Sequence, residues 1–209
     1  MFFGYLRGLG AFQYCWRVDW AWWLVLAGYA WGTFPGALLV GRYTGHDPTR
    51  EGSKNPGASN VYRVAGRWPA AWVLLSDVGK GFIAGGMGLI FGNQLIGAAC
   101  GAAAVVGHIV PLGRYREGGK GVATFGGMLL ALTPVVGVIL IGVWAVALAL
   151  TKRAGAASLL AVAAAPAAVA IQGWPAPEVV VAIGVAVVVL SRHHENIRRM
   201  WRRQEPALW

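Results

Sequence analysis

The sequence predicts an all-α protein, a polytopic membrane helix bundle whose short polar loops carry the chemistry. Of its 209 residues, 57% are hydrophobic and only 12% are charged, and the mean hydropathy is +0.56. This composition excludes an ordinary soluble domain. The apolar residues also occur in stretches close to the roughly 20 residues that a helix needs to cross a bilayer. A multi-pass membrane protein is therefore the expected fold.

The apolar stretches predict the membrane helices in order along the chain. The separate spans are 20–40, 70–91, 93–112, 134–150, 154–172 and 176–190. Each is rich in glycine and alanine, which let neighbouring helices approach closely. The second span contains Asp77 and Lys80, which lie on one helical face because they are three residues apart. We expect this pair to neutralise itself inside the bundle, since a lone charge at bilayer depth is costly.

The distribution of basic residues predicts one further span. Lysine and arginine concentrate in polar breaks at 42–67, 114–120, 152–153 and 192–203. Such breaks are typical of cytoplasmic loops, but six spans would place the second and third breaks on opposite sides. The stretch from Val122 to Leu150, divided by Pro134, is long enough for two short tilted crossings. We therefore predict about seven transmembrane helices, with the N-terminus outside and the C-terminus in the cytoplasm.

The domain organisation is predicted to be simple. Residues 1–19 form an N-terminal extension, either interfacial or the product of a misplaced start codon, without the features of a cleaved signal peptide. Four tryptophans between positions 16 and 23 suit the headgroup boundary. Residues 20–205 form a single integral-membrane domain, and residues 206–209 are a tail.

Charge and cysteine content exclude several classes of protein. The 18 lysines and arginines outnumber the 8 aspartates and glutamates, but cytoplasmic loops account for this excess, so a nucleic-acid partner is not expected. Cys15 and Cys100 lie in apolar surroundings, and the chain has no C-x-x-C sequence and no paired histidines at ligand spacing. We interpret both cysteines as packing residues and expect neither a disulfide framework nor a metal site.

The first polar motif is GSKNPGASNVYR, at residues 52–63. Its glycines and proline predict a tight turn, and Ser59 or Asn60 could cap a helix that follows. A helix N-terminus flanked by Lys54 and Arg63 would suit an anion. A solvated cytoplasmic turn is the simpler interpretation of the motif taken alone.

The second polar motif is GGKGVAT, which begins at Gly118. Three glycines around Lys120 are typical of loops that cradle phosphate, because glycine lets backbone N–H groups approach oxygen atoms while lysine supplies the charge. It is not a Walker A sequence, since Gly121 occupies the position of the required Ser or Thr. If a helix begins at Val122, Thr124 would present its hydroxyl on the same face as Lys120. His108 precedes this loop, and a structural histidine bound to a backbone carbonyl is favoured there over a catalytic one.

The third polar motif follows the last apolar stretch and reads SRHHENIRRMWRRQE, at residues 191–205. In a helix, His193, Asn196 and Met200 share one face. The other face carries arginines suited to anionic lipid headgroups: Arg192, Arg199 and Arg203. A basic juxtamembrane anchor explains the arginines, but it does not explain a histidine and an asparagine three residues apart.

Together the three motifs resemble those of the bacterial acyl-phosphate-dependent glycerol-3-phosphate acyltransferases, an integral-membrane family. That family's pattern is G-S-G-N-P-G-A-T-N-V-x-R, then G-H-x-F-P with G-G-K-G-V-A-T, then R-H-R-x-N-I-x-R. This chain has GSKNPGASNVYR at 52–63, GHIVP at 107–111, GGKGVAT at 118–124 and RHHENIRR at 192–199. Matching motifs in the same order make a chance resemblance improbable.

The resemblance implies a reaction and its partners. The 1-hydroxyl of glycerol 3-phosphate would attack the carbonyl of a fatty acyl phosphate, giving lysophosphatidic acid and inorganic phosphate. It implies membrane lipids as surroundings, no cofactor, and a site that faces the cytoplasm from a bacterial cell membrane. The alternative is a membrane homologue that keeps the fold but acts as a transporter or has no catalytic activity. A second type of acyltransferase is disfavoured, because no histidine has an aspartate five residues later.

The resemblance also implies roles for individual residues. Catalytic roles fall on Ser53, Lys120, His193 and Asn196. Substrate-binding roles fall on Asn55, Ser59, Asn60, Arg63, Gly118, Gly119, Gly121 and Thr124. Both His193 and a substrate phosphate oxygen are candidates for the general base.

Departures from the family pattern concern a few positions. Lys54 stands where the family usually has glycine, which adds a charge to the loop. Gly155 stands where a substrate-contacting serine is expected, and Lys54 or Lys152 is the candidate to compensate for its absence. Glu205 matches a late family glutamate, which we interpret as a structural partner for arginine or lysine.

Overall fold

The computed structural model describes residues 21–112 and 118–209, and their regular secondary structure is entirely α-helical. The helices are α1 Ala21–Gly32, α2 Gly36–Thr44, α3 Ala58–Ala65, α4 Arg67–Phe91, α5 Gln94–Ile109, α6 Val122–Leu132, α7 Pro134–Thr151, α8 Ala154–Ile171, α9 Ala176–Ser191 and α10 His194–Trp201. The predicted all-α bundle is thus confirmed. The proposed extension, 1–19, lies outside the described residues.

Every predicted span coincides with helix, and the first is divided into α1 and α2. By length and composition, four helical segments of the described chain can cross a membrane, with α1 and α2 taken together. The pair α9 and α10, bent by 55° at its break, would add a fifth, and α5 and α6 are shorter apolar helices. Seven crossings would require both short helices to span the bilayer, so that number stays a prediction.

Proline divides the predicted double crossing as expected. Helix α6 ends at Leu132 and α7 begins at Pro134, with Thr133 between them. Proline suits the first position of a helix because its missing N–H would have no partner there. The break is therefore encoded locally.

Helices α4 and α6 cross with their backbones in contact. A Cβ atom added to Gly81 would lie 1.8 Å from the carbonyl oxygen of Thr124, and one added to Gly127 would lie 2.0 Å from that of Val78. Small residues at such crossings favour helix association in membranes. This crossing fixes the start of α6, and with it the GGKG loop, beside α4.

A buried ion pair and a buried histidine form a cluster of three side chains. The Nζ atom of Lys80 donates to Asp77 Oδ1 at 2.8 Å, so the predicted neutralising pair is confirmed. His108 Nδ1 lies 3.2 Å from both of these atoms. The predicted bond from His108 to a backbone carbonyl is wrong, because the buried ion pair lies within reach of the ring.

The loop before α3 contains a residue in an unusual backbone conformation. Lys54 has φ of +58°, in the left-handed region, as does Gly52. A non-glycine residue in that region destabilises the fold by roughly 1–2 kcal/mol. This cost explains why the family that the chain resembles usually has glycine at position 54. The Lys54 side chain is exposed and points away from the protein interior. Lysine in place of glycine at position 54 therefore adds backbone strain, not a charge inside the protein.

We expect Gly81→Ala to destabilise the bundle strongly, because the methyl group would meet the backbone of α6. Overpacking typically costs about 1–3 kcal/mol, and a helix backbone yields less readily than a side chain. Gly79→Ala is the matched control, since no atom lies within 4 Å of a Cβ at that position. Thermal unfolding in detergent should show a lower midpoint for Gly81→Ala alone, and equal midpoints would contradict the observed crossing.

We expect Lys54→Gly to stabilise the protein. Relief of left-handed strain exceeds the additional unfolded-state entropy of glycine, which is about 0.5–1 kcal/mol. The unfolding midpoint should rise by about 1–4 °C. Lys54→Ala removes the same charge but keeps the strain, so its midpoint should not rise. A similar increase in both variants would mean that charge, not backbone conformation, is responsible.

Candidate active site

A cavity of about 280 Å³ leads from the polar loops into the apolar interior of the bundle. Its polar end is lined by all three motifs, with Ser53, Asn55, Ser59, Arg63, Lys120, His193 and Asn196 among its residues. Its apolar walls come from α4, α6, α7 and α8, with Leu74, Val78, Phe125, Leu129, Leu140 and Val162. One continuous space therefore joins charged groups to a hydrocarbon-like groove.

Asn60 organises the first motif from inside. Its side chain is buried, and Nδ2 donates to the carbonyl oxygens of Pro48 and Glu51, each at 3.0 Å. Its Oδ1 accepts from the backbone N–H of Ser53 at 2.8 Å. Asn60 also lines the cavity, but these bonds use its side chain to hold the loop. The side chain of Ser53 is thereby fixed at the cavity edge.

Helix α3 begins differently from the sequence prediction. Gly57, in extended conformation, precedes the first helical residue, Ala58, and no side chain caps the helix. The expected cap by Ser59 or Asn60 is wrong because both residues lie within the helix. Ser59 lines the cavity from the first turn. Pro56 and Gly57 thus determine where the helix starts.

The second motif delivers Lys120 to the cavity. Helix α6 begins at Val122 as predicted, after Gly121 in a left-handed conformation with φ of +87°. Lys120 and Gly121 both line the cavity. Thr124 does not line it. Its side chain is fully buried and, among the described residues, its Oγ1 has no hydrogen-bond partner.

The first two glycines of the GGKG loop lie against His108 rather than in the main cavity. A Cβ on Gly119 would be 2.1 Å from His108 Nε2, and one on Gly118 would be 2.1 Å from the carbonyl oxygen of His108. Both glycines line a separate cavity of about 40 Å³, which Asp77 and Lys80 also line. The glycines therefore let the loop rest on His108, next to the buried ion pair.

The third motif places His193 between α9 and α10. Its Nδ1 lies 2.8 Å from the carbonyl oxygen of Val189. Since a carbonyl only accepts, Nδ1 carries the hydrogen and Nε2 is left as an acceptor in the neutral ring. Burial, together with the nearby Lys120 cation, lowers the pKa of His193 to about 4, although the bond to Val189 opposes the shift. The ring is therefore neutral near pH 7.

A chain of polar contacts links Lys120 to the end of the protein. Lys120 Nζ donates to Asn196 Oδ1, and Asn196 Nδ2 donates to Glu205 Oε1 at 2.6 Å. Arg199 Nε donates to Glu205 Oε2 at 2.7 Å. The predicted structural role of Glu205 is confirmed by its bond to Arg199. This network ties the second motif to the third.

Arg199 was expected to face lipid headgroups, and that expectation is wrong. Its side chain turns inward to the buried Glu205 and lines the cavity. The signal for its position was its spacing of three residues from Asn196, which puts both on one helical face. Asp77 and His108 also line the cavity, although the sequence did not assign them to the site.

The polar end of the cavity carries an excess of positive charge. Arg63, Lys120 and Arg199 line it together with the buried carboxylate of Glu205, and the buried carboxylate of Asp77, which also lines the cavity, is paired with Lys80. Burial, together with the Arg199 charge, lowers the pKa of Lys120 to about 8, and Glu205 opposes the shift. A bound anion would relieve this repulsion, so the site is suited to phosphate.

Gly155 lies directly behind the Asn196 and Glu205 contact. A Cβ there would be 2.5 Å from Asn196 Nδ2 and 2.7 Å from Glu205 Oε1. Its missing side chain thus lets these two groups meet. Lys54 and Lys152 are exposed, and neither lines the cavity. They do not replace a hydroxyl at position 155.

The arrangement has clear chemical abilities. Cationic and amide donors can hold phosphate groups, and the apolar groove can hold a hydrocarbon chain. His193 Nε2 can accept a proton from a hydroxyl. Of the twelve residues predicted for the site, nine line this cavity, and Gly118, Gly119 and Thr124 do not.

Comparison with known proteins agrees with this geometry. A family model described as Glycerol-3-phosphate acyltransferase matches residues 22–203. A glycerol-3-phosphate acyltransferase of Synechococcus sp. (strain JA-2-3B'a(2-13)) is 38% identical over 185 residues, which cover 88% of this chain and 92% of the relative. That of Klebsiella pneumoniae (strain 342) is 38% identical over 193 residues, with 89% and 91% coverage.

Solved structures show the same architecture. The crystal structure of PlsY (YgiH), an integral membrane glycerol 3-phosphate acyltransferase, in its glycerol 3-phosphate form, matches with a TM-score of 0.86 and 30% identity. The match covers 90% of this chain and 94% of that one. The lysophosphatidic acid form of PlsY matches with a TM-score of 0.84. By family model, sequence identity and fold alike, this integral membrane protein belongs to the glycerol-3-phosphate acyltransferase family.

Proposed function

We propose that the protein transfers a fatty acyl group from an acyl phosphate to the 1-hydroxyl of sn-glycerol 3-phosphate. The products are lysophosphatidic acid and inorganic phosphate, in the first step of phospholipid biosynthesis. The observation that carries this proposal is the single cavity that joins three cationic side chains to an apolar groove. Both proposed substrates bear phosphate, and one bears a hydrocarbon chain.

The chemistry requires little beyond positioning and charge stabilisation. The hydroxyl oxygen forms a bond to the acyl carbonyl carbon, the bond from that carbon to the phosphate oxygen breaks, and phosphate leaves as an anion. Because an acyl phosphate is already activated, neither ATP, a metal ion nor a covalent intermediate is needed. Holding two reactants in contact and stabilising the leaving anion account for most of the rate.

Lys120 is proposed as the central cation for the leaving phosphate. Its ammonium is oriented by Asn196, which leaves two of its three N–H donors for substrate. Arg63 and Arg199 line the same end of the cavity and add positive charge. The neutral His193 accepts the hydroxyl proton at Nε2, or a phosphate oxygen accepts it instead.

The first motif is proposed to bind the carbonyl and phosphate oxygens. Ser53, Asn55 and Ser59 each present a hydroxyl or amide group at the cavity edge. Asn60 contributes by fixing the loop, as its three hydrogen bonds indicate. Gly121 lines the cavity beside Lys120, whereas Thr124 and the glycines at 118 and 119 are proposed to support the loop from outside the cavity.

The acyl chain is proposed to occupy the groove between α4, α6, α7 and α8. Residues such as Leu74, Phe125 and Leu140 line it, and apolar walls suit a hydrocarbon tail. The basic character of the polar loops favours the cytoplasmic side of a bacterial cell membrane for the phosphate end. Glycerol 3-phosphate then reaches the site from water and the acyl donor from the lipid.

Turnover by purified protein tests the proposal directly. With glycerol 3-phosphate and palmitoyl phosphate, the wild type should release phosphate above the control without enzyme. Lys120→Ala should lower kcat/KM by about 10- to 100-fold, since a hydrogen bond to a charged group contributes roughly 1.5–3 kcal/mol. Lys152→Ala, which removes an exposed lysine outside the cavity, should leave it unchanged. A correctly folded wild type without phosphate release would contradict the proposed function.

The pH dependence of kcat/KM should show the ionisation of Lys120. Lys120 is cationic below its pKa of about 8 and loses its charge above it, so kcat/KM for glycerol 3-phosphate should fall as pH rises through that value. The phosphate of glycerol 3-phosphate has a second pKa of about 6, so it is already dianionic in this pH range. Lys120→Arg stays charged, so whatever activity it retains should lack this alkaline decrease. A decrease of equal size in Lys120→Arg would assign it to another group.

A further inference from the structure

The last residues of the chain return to the cavity. After α10 the backbone reverses at Arg203, which is left-handed with φ of +57°, and Gln204 N–H donates to the carbonyl oxygen of Arg199 at 2.7 Å. Residues 205–209, here named the C-terminal strap, then run from Glu205, which lines the polar end of the cavity, to contacts with α3 and with the turn between α7 and α8. From the sequence, residues 206–209 had been interpreted only as a tail.

The strap is attached to three separate parts of the fold. Glu205 bonds to Asn196 and Arg199 of α10 at 2.6 and 2.7 Å. The carbonyl oxygen of Ala207 accepts from Arg63 Nε of α3 at 3.4 Å. The N–H of Leu208 donates at 2.7 Å to the carbonyl oxygen of residue 152, in the turn between α7 and α8.

Leu208 is the apolar anchor of the strap. Its side chain is partly buried against Leu148, Ala154 and Ala157. Trp144 packs against the same cluster, and both Trp144 and Ala154 line the cavity. The neighbouring Trp209 is 57% exposed. Burial at position 208, rather than at the terminus, therefore fixes the path of the strap.

This path determines how Arg63 is presented. The Ala207 carbonyl takes the Nε hydrogen of Arg63, which leaves the four hydrogens on its two terminal nitrogens for an anion. Helix α10 packs mainly against α8 and has few other contacts that would hold it near α3. The strap is the direct link among α3, α10 and the α7–α8 turn.

We propose that the C-terminal strap is a positioning element for glycerol 3-phosphate, with Leu208 as its anchoring residue. Packing of Leu208 holds the Ala207 carbonyl against Arg63 and keeps Glu205 against Asn196, so that the phosphate end of the cavity is assembled before substrate arrives. Leu208 acts through these groups and does not itself touch the proposed phosphate site. The inference rests on the proposed function for its substrate.

Steady-state kinetics of Leu208→Ala test this role. The KM for glycerol 3-phosphate should rise by about 3- to 10-fold, the scale set by the loss of one or two positioning hydrogen bonds. The kcat and the KM for palmitoyl phosphate should stay within about twofold, because the deep groove is unchanged and Lys120 keeps its direct bond to Asn196. Trp209→Ala is the matched control and should match the wild type. Leu208→Met keeps an apolar side chain of similar volume and should restore the KM.

Other results would overturn the inference. A merely structural Leu208 would lower the unfolding temperature without separating the two KM values. An unchanged KM for glycerol 3-phosphate in a folded Leu208→Ala variant would also mean that Leu208 does not position this substrate. An increase confined to the KM for palmitoyl phosphate would make the strap a wall of the acyl groove instead.

A measurement without substrate separates failure of this inference from failure of the proposed function. If the wild type releases no phosphate, the proposed function fails, but the strap can still be judged by hydrogen exchange. Leu208→Ala should speed amide exchange in residues 61–65 and 152–155, and Trp209→Ala should not. Equal exchange in all three proteins would show that the strap holds neither α3 nor the α7–α8 turn.

Discussion

The site depends on the burial of one ammonium group. Lys120 lies on the loop before α6, yet its Nζ is held by Asn196 on α10, whose other amide end binds Glu205. The orientation of the Asn196 amide follows from chemistry, since an ammonium only donates and a carboxylate only accepts. Burying the cation costs free energy that Glu205 partly offsets. A bound phosphate dianion can offset the rest of this free-energy cost.

Backbone contacts at glycine place the partners of this lysine. Gly81 lets α6 approach α4, which sets the start of α6, and Gly119 lets the preceding loop lie on His108. Gly155 leaves the space in which Asn196 and Glu205 meet. Helix association in lipid relies on close packing more than on the hydrophobic effect. The same small residues therefore stabilise the bundle and set the geometry of its polar end.

The features that sequence predicted are those encoded within a few residues. Helix α6 starts at Val122 after glycine, and Pro134 opens α7, because local backbone preferences decide both. Arg199 was misplaced because its partner, Glu205, reaches it only after the chain reverses. That reversal occurs at Arg203 in a left-handed conformation, where no glycine signals a turn. Nine of the twelve residues predicted from the motifs line the cavity, whereas contacts made by the chain end required the structure.

The electrostatics of the cavity couple proton acceptance to substrate binding. Burial and the Lys120 cation keep His193 neutral and weakly basic. A phosphate dianion placed against Lys120 would raise the pKa of both groups, because a nearby negative charge favours their protonated forms. His193 would therefore become a stronger base only when a phosphate is in place. Under the proposed function, the excess of positive charge both binds the substrate and ties proton transfer to its presence.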